Sequence, residues 1–337
     1  MLLRVARSLA VDMSIDPELV ERFRADLAAL GYRDGGKLGV AYSGGPDSLA
    51  MLLLAAAAFP GEVEAATVDH GLRPESSEEA ALAASNCAQL GVRHAVLEVS
   101  VPSGNVQAEA RSVRYAALAR WADDRGVRTI LTAHHADDQA ETFLMRANRG
   151  SGFAGLAGVR ASGVIPGTNI SLARPLLKWR RSTLEAIALQ SGLHVVQDPS
   201  NVDDRFDRVR IRKAMRDSDL INVDGFARSA ELMSGLEADF DAMVEEEWLC
   251  AKTEDNAPSR YHPFRRSNVH RPVFWGEVVR RVGSEFGAKL ARKDAAQMVS
   301  ELLAGRAVNI GGIQARNLGD EEEVVWGFAP ENPRKTV

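Results

Sequence analysis

The sequence predicts an α/β protein: a parallel sheet with helices on both faces, then a mainly helical domain that ends in a short β-like tail. Three observations predict it. Short β-rich apolar runs alternate with longer helical patterns through the first half of the chain. Past about residue 217 the spacing turns helical, with strand signals only near the end. A length of 337 residues suits two domains and excludes a single small module.

Residues 1–34 read as an extension with a leading helix; Arg4 and Arg7 precede Asp12, without the apolar core or cleavage site of a secretory signal. Runs at 37–43, 63–69, 94–99 and 127–133 read as strands, and 48–59, 76–90 and 106–125 between them as helices ending near Gly or Pro. Nearly continuous apolar strands joined by helical crossovers predict a parallel sheet buried on both faces, with its ligand at the strands' carboxyl ends. Residues 150–167 loosen into a Gly-rich stretch, followed by an edge strand near 170–173 and a helix over 182–190. The first domain is thus expected over 35–217. Helical spacing over 222–249 and 274–303, with polar residues 252–260 between, defines a second domain over 218–306, and 307–337 forms a β-like tail with a frayed end.

With 45% apolar and 26% charged residues the chain is neither disordered nor fibrous. The longest apolar stretch, 49–59, is about half of a membrane span, so no membrane partner is expected. Cys87 and Cys250 have no Cys or His at metal-ligand spacing, which predicts two reduced thiols and a cytoplasmic location. The formal charge of −5 conceals two basic segments. Residues 160–216 hold eleven Arg or Lys against five acids, and 260–293 hold nine against two. Phosphate binding follows local charge, so these segments fit an RNA footprint as well as an ordinary solvated face.

Directly after the first strand stands Ser43-Gly44-Gly45-Pro46-Asp47-Ser48, and a helix follows at once. Paired glycines let the backbone approach a ligand, and a helix start offers free N–H groups and a positive dipole end. A phosphate-class anion fits there. Ser43 and Ser48 can donate hydroxyls, while Asp47 either caps the helix or holds a Mg2+ ion that bridges phosphates. The string lacks the terminal Gly-Lys-Ser/Thr of a Walker loop. It resembles instead the pyrophosphate loop (PP-loop) of the N-type ATP pyrophosphatases, which implies a Rossmann-like sheet and ATP as a substrate.

Further strings narrow the resemblance. Val68-Asp69-His70-Gly71-Leu72-Arg73 ends the second strand, and His134-His135-Ala136-Asp137-Asp138-Gln139-Ala140-Glu141-Thr142 ends the fourth. Arg149-Gly150-Ser151-Gly152-Phe153-Ala154-Gly155-Leu156-Ala157-Gly158, Arg174-Pro175-Leu176-Leu177 and Asp198-Pro199-Ser200-Asn201 follow. Together they look like the tRNA(Ile)-lysidine synthetase family over about residues 37–217. Val209 departs from that family's pattern, in which many members carry Asn. The resemblance implies adenylylation by ATP of the wobble cytidine in a CAU-anticodon isoleucine tRNA, then attack by free L-lysine with release of AMP. It further implies nucleotide contacts from Ser43 to Ser48, Asp69 and His70, and a tRNA-binding second domain. Oligomeric state stays open, with a homodimer among the options.

Asp137, Asp138 and Glu141 share helix faces at i,i+3 and i,i+4, which suits an acidic cradle for a lysine ammonium; acids are also favoured in a first helical turn by the dipole. Of His134 and His135 one is expected at the α-phosphate, and His134 joins the catalytic set. Arg111 and Arg114, a turn apart, suit charge developing on the transferred phosphoryl group, or are surface arginines. Arg205, Arg208, Arg210 and Arg212 cluster as tRNA backbone contacts, joined by Arg265 and Arg266. Arg280 and Arg281 with Tyr261, Phe264 and Trp275 suggest a basic surface interleaved with aromatics. A tRNA-thiolating relative ranks second, because such enzymes use cysteines that this sequence does not pair. A noncatalytic tRNA- or nucleotide-binding relative is the other alternative.

Overall fold

The computed structural model describes residues 15–33, 35–71, 76–100, 106–196, 207–255, 259–264, 269–320 and 323–331. The chain divides into two compact units, Met1–Ser234 and Gly235–Val337.

In the first unit, β1 (Leu38–Ala41), β2 (Val63–Asp69), β3 (Arg93–Glu98) and β4 (Thr129–Leu131) alternate with α2 (Pro46–Ala58), α3 (Ser76–Gln89) and α4 (Val106–Arg125), after α1 (Pro17–Ala29). These match the predicted runs closely. α5 (Ala136–Asn148), a single turn α6 (Phe153–Leu156), β5 (Ser162–Val164), β6 (Ser171–Ala173), α7 (Arg181–Gln190) and α8 (Asp207–Arg216) follow. The sheet order is β3-β2-β1-β4-β6-β5, parallel throughout except for the β5–β6 pair. The predicted edge strand at 170–173 is therefore internal, because β5, three exposed residues hidden in the Gly-rich stretch, pairs outside it. Its exposure removed the apolar signal that marks a buried strand.

The chain leaves β1 toward β2 on one side and reaches β4 on the other, so crossovers diverge at β1 and open a crevice at the carboxyl ends of β1 and β4. α2 is apolar on all sides because it lies inside the fold: Leu49 through Ala55 are at most 1% exposed. Close packing on the other face explains a glycine in β1. A Cβ on Gly39 would lie 2.8 Å from the Trp121 ring of α4.

The two compact units divide at Ser234/Gly235, inside α9 (Val223–Asp255). The first turns of α9 pack on α5, with Phe226 and Phe143 rings 5.5 Å apart and Val223 against Ala136 and Ala140. In the second unit the predicted helix over 274–303 is two helices, α10 (Pro272–Glu285) and α11 (Arg292–Leu303), parted at Gly287, whose φ of +74° few other residues adopt. The tail is not separate. β7 (Arg260–Tyr261), β8 (Val308–Ile310), β9 (Ile313–Asn317) and β10 (Trp326–Pro330) form an antiparallel sheet ordered β7-β10-β9-β8. Ile313, Ala315, Trp326 and Phe328 join Trp248, Trp275 and Met298 in one core.

One charged residue ties the amino ends of the central strands. Glu64 of β2 is 5% exposed, 2.7 Å from Arg125 Nε and 3.2 Å from Lys37 Nζ. Burial opposes its ionisation, but the hydrogen bonds from Arg125 and Lys37 hold its carboxyl below the usual range. A depressed folded-state pKa contributes stability above the unfolded value, and that stability is lost as pH falls through the folded one. Glu64→Gln is expected to cost about 1–2 kcal/mol at pH 7, since the partners are half exposed. The difference from the parent should shrink in urea unfolding below pH ~4.5.

Candidate active site

β1 delivers the chain to Ser43, and the turn that follows requires glycine. Gly44 has φ +81°, its carbonyl accepts the Val196 amide at 2.9 Å, and a Cβ there would meet Val196 Cγ2 at 2.6 Å. Gly45 is the N-cap of α2 and offers no side chain, so the first-turn amides keep no internal partner. Ser48 braces the turn: its hydroxyl donates to the Gly45 carbonyl at 3.0 Å and accepts the Ser43 amide at 3.2 Å. Asp47 Oδ1 is buried without a hydrogen-bond partner.

β4 delivers the second half. His135 is the N-cap of α5, in a reciprocal capping pair with Asp138. The ring is 2% exposed, with Nε2 3.5 Å from both Asp47 and Asp138 and Nδ1 3.6 Å from Asp137. Burial lowers its pKa, but hydrogen bonds to Asp137 and Asp47 with the charge of Asp138 overcome this and raise it to about 10. The Asp138 amide meets Nδ1 at only 3.4 Å, a weak contact against three carboxylates. His134 differs. Burial, aided by Arg174, Arg208 and Arg111 against Asp138, lowers it to about 4, so it is neutral, with Nδ1 3.1 Å from Thr132 Oγ1.

Ser43, Gly45, Pro46, Asp47, Ser48, Asp69, His70, Arg114, His134 and Asp138 come together around one cavity of about 790 Å³. Asp69 Oδ1 accepts the Gly71 amide at 2.8 Å, and burial with the charge of Arg114 lowers the pKa of His70. Gly44, Arg111, Asp137 and Glu141 do not line it. Asp137 accepts the Arg181 amide at 2.8 Å and faces Arg180, which with His135 keeps its carboxyl far below the usual range despite burial.

Two expectations change here. Glu141, 1% exposed, is gripped by Arg208 Nε and Arg212 Nε, each at 2.6 Å, and Arg208 also holds Asp138 at 2.8 Å. Glu141 is thus not an open cradle for an ammonium, because two guanidiniums already neutralise it. Arg208 and Arg212, expected as tRNA backbone contacts, pair with these acids and line the cavity. Arg208 and Arg212, at i and i+4, share one helix face, whereas Arg210 at i+2 does not. Arg210 lies on the surface with Asp207. Val209, at the position that departs from the family pattern, is 7% exposed and packs inward. Arg205, Arg265, Arg266 and the Asp198–Asn201 string lie outside the described residues. In the second unit Tyr261 and Trp275 are 1% exposed core residues, while Arg280 and Arg281 pair with Glu277 and Glu245, so the expected aromatic surface is not formed by these rings.

Val196 and Arg181 line the cavity without any signal in the sequence around them. Val196 carries no chemical signal; it reaches the loop only through the fold. The Gly-rich string is a pinned turn: Gln139 exchanges two hydrogen bonds with Val159 at 2.8 and 2.7 Å, and Arg146 donates to the Gly155 carbonyl at 2.6 Å.

A sheet with a glycine turn and an uncapped helix at its switch point defines a nucleotide-binding α/β protein, and a family model described as PP-loop domain matches residues 18–218. The tRNA(Ile)-lysidine synthase of Novosphingobium aromaticivorans is 41% identical over 316 residues, 92% of this chain and 94% of its own. That of Zymomonas mobilis is 48% identical over 222 residues, 64% of this chain and 65% of its own. The chain belongs to the PP-loop family of tRNA(Ile)-lysidine synthases. A U34-tRNA thiolase, NcsA from Methanococcus maripaludis, shares the fold at a TM-score of 0.55 and 17% identity, covering 66% of this chain and 79% of its own.

Glu141→Gln should leave Arg208 and Arg212 without their shared counter-charge. The expected loss is about 1–3 kcal/mol, discounted because Arg208 is half exposed. Thermal unfolding and faster amide exchange across α8 would register it; unchanged exchange there would show that the ion pairs do not hold α8 to α5.

Proposed function

We propose that this chain synthesises lysidine: it activates the wobble cytidine of a CAU-anticodon isoleucine tRNA with ATP and joins free L-lysine to it. The observation that carries the reading is the cavity at the ends of β1 and β4, which gathers the uncapped start of α2, with Asp47 in its first turn, and the carboxylate of Asp138. In the first step the cytidine O2 attacks the α-phosphorus of ATP, and the bond to the β-phosphate oxygen breaks to release pyrophosphate. In the second the lysine ε-amine attacks C2, AMP departs with the oxygen, and the amine proton passes to a base.

The first-turn amides of α2 with Ser43 and Ser48 suit the departing pyrophosphate. Asp47 suits Mg2+, because its buried Oδ1 lacks a partner and a single carboxylate plus phosphate oxygens is a common donor set for that ion. When bound, Mg2+ would neutralise charge on the phosphates. Of the acids read as a cradle, only Asp138 lines the cavity, and we assign it the approach of the lysine amine, which must shed a proton from a pKa near 10.4. His134, neutral at the cavity wall, suits hydrogen bonding to the α-phosphate. We assign the second unit to tRNA binding on the local charge of residues 260–293. Thiolation has no support from the cysteines: Cys87 is fully buried, and burial pushes its thiol up to about 12.

With ATP labelled at the α-phosphate, AMP release should depend on both lysine and the CAU-anticodon tRNA. Asp47→Ala is expected to lower that rate by at least about 100-fold with little change in unfolding temperature. Near-parent turnover would remove Asp47 from the reaction. Withholding lysine should leave a trappable adenylylated tRNA in a single turnover, and its absence under rapid quench would count against the two-step order.

A further inference from the structure

We infer that Arg111, Arg114 and Arg174, gathered about Tyr115, form a second anion subsite at the rim of the cavity, one that takes the phosphodiesters flanking the nucleotide whose base enters it. The inference rests on the proposed function and adds a site to it. Arg208, Arg212 and Arg181, which line this cavity, are each matched by a carboxylate. Among the described residues no carboxylate pairs with Arg111, Arg114 or Arg174. Instead the guanidiniums of Arg111 and Arg114 lie 5.1 and 5.4 Å from the Tyr115 ring centroid, and Arg111 Nη2 donates to the Tyr115 hydroxyl at 3.5 Å. Arg174 lies beside them, 6% exposed, with Nη1 on the Arg160 carbonyl at 2.6 Å and an Nε that is buried without a partner.

Three like charges around one phenol, one of them buried without an acid, are unfavourable until an anion joins them. Burial, with the charges of Arg111 and Arg114 adding to it, disfavours the Arg174 cation, in agreement with that reading. Proximity to the Tyr115 ring holds Arg111 and Arg114 without using their charge on an acid, which suits phosphate. Position selects the anion. Arg114 and Tyr115 line the cavity, Arg111 is exposed a turn earlier on α4, and Arg174, just after β6, is buried, so the set runs from solvent to interior. One amino-acid carboxylate is satisfied by a single forked guanidinium. Three guanidiniums graded in depth match the two phosphodiesters that enter and leave an inserted nucleotide. The pyrophosphate of ATP is assigned to the start of α2, so this is a separate position.

The test is binding of the full chain to the CAU-anticodon isoleucine tRNA across a salt titration, for the parent, Arg111→Gln, Arg114→Gln and the pair combined. Each single change should flatten the slope of log affinity against log salt by about 0.7, and the pair by about twice that. ATP affinity without RNA and the KM for lysine should stay within about twofold. Arg174→Met should weaken RNA binding as well, and Arg174→Lys should recover part of it; the exposed Arg111 keeps the test decisive if Arg174→Met does not fold. A double variant with the parent's slope overturns the site. A raised KM for lysine with an unchanged slope would give the cluster to the amino-acid carboxylate, and weakened ATP binding would give it to ATP; either overturns the inference. A parent that does not bind the tRNA at any salt overturns the proposed function and this site with it, whereas a parent that binds and a pair that binds equally well overturns only the site.

Discussion

His135 joins the two halves of the site. It ends the loop after β4, caps α5, and reaches Asp47 at the start of α2 and Asp138 in its own helix, each at 3.5 Å. A buried imidazolium is costly alone, and so is a set of three carboxylates within reach of one another. Each makes the other tolerable. The glycine turn at Gly44 and Gly45 is therefore held in register with α5 by charge as well as by the pairing of β1 with β4. Asp137 completes the arrangement by carrying the same charge balance outward to Arg180 and the amide of Arg181.

Charge matching divides the residues of the first unit by role. On the α8 side, acids and arginines neutralise one another: Glu141 with Arg208 and Arg212, and Asp138 with Arg208. Those contacts hold helices together and leave little net charge. On the α4 side, Arg111, Arg114 and Arg174 meet only a phenol and a carbonyl. Asp47 is unmatched in the opposite sense at Oδ1. Arg114 and Asp47, unmatched in opposite senses, both line the cavity and fit a ligand that brings both phosphate and cations.

The second unit shows why composition alone misplaces a binding face. In its core Trp326 meets Trp275 edge to face at 5.8 Å between centroids and Tyr261 at a tilt at 6.1 Å, and the β-like tail supplies Trp326. Aromatics among arginines in sequence were separated by the fold: rings inward, guanidiniums outward onto Glu277 and Glu245. Amphipathic spacing at 3.6 residues per turn does this whenever one helix face is buried.

The sequence by itself determined the parallel sheet and the loop at the end of its first strand. Both follow from local rules: apolar runs of strand length such as Val63–Asp69, and a Gly-Gly turn before a helix. Lysidine chemistry was legible only through the resemblance carried by the Ser43, His70, His134 and Gly150 strings. The tertiary structure decided what depends on distance in space. It tied Glu141 to arginines 67 and 71 residues away, set Val196 against Gly44, and gathered the unmatched arginines of α4 with Arg174. It also built the tail into the second unit's core. A residue's charge can be read from the chain, but whether that charge is already neutralised depends on partners that only folding brings within 4 Å.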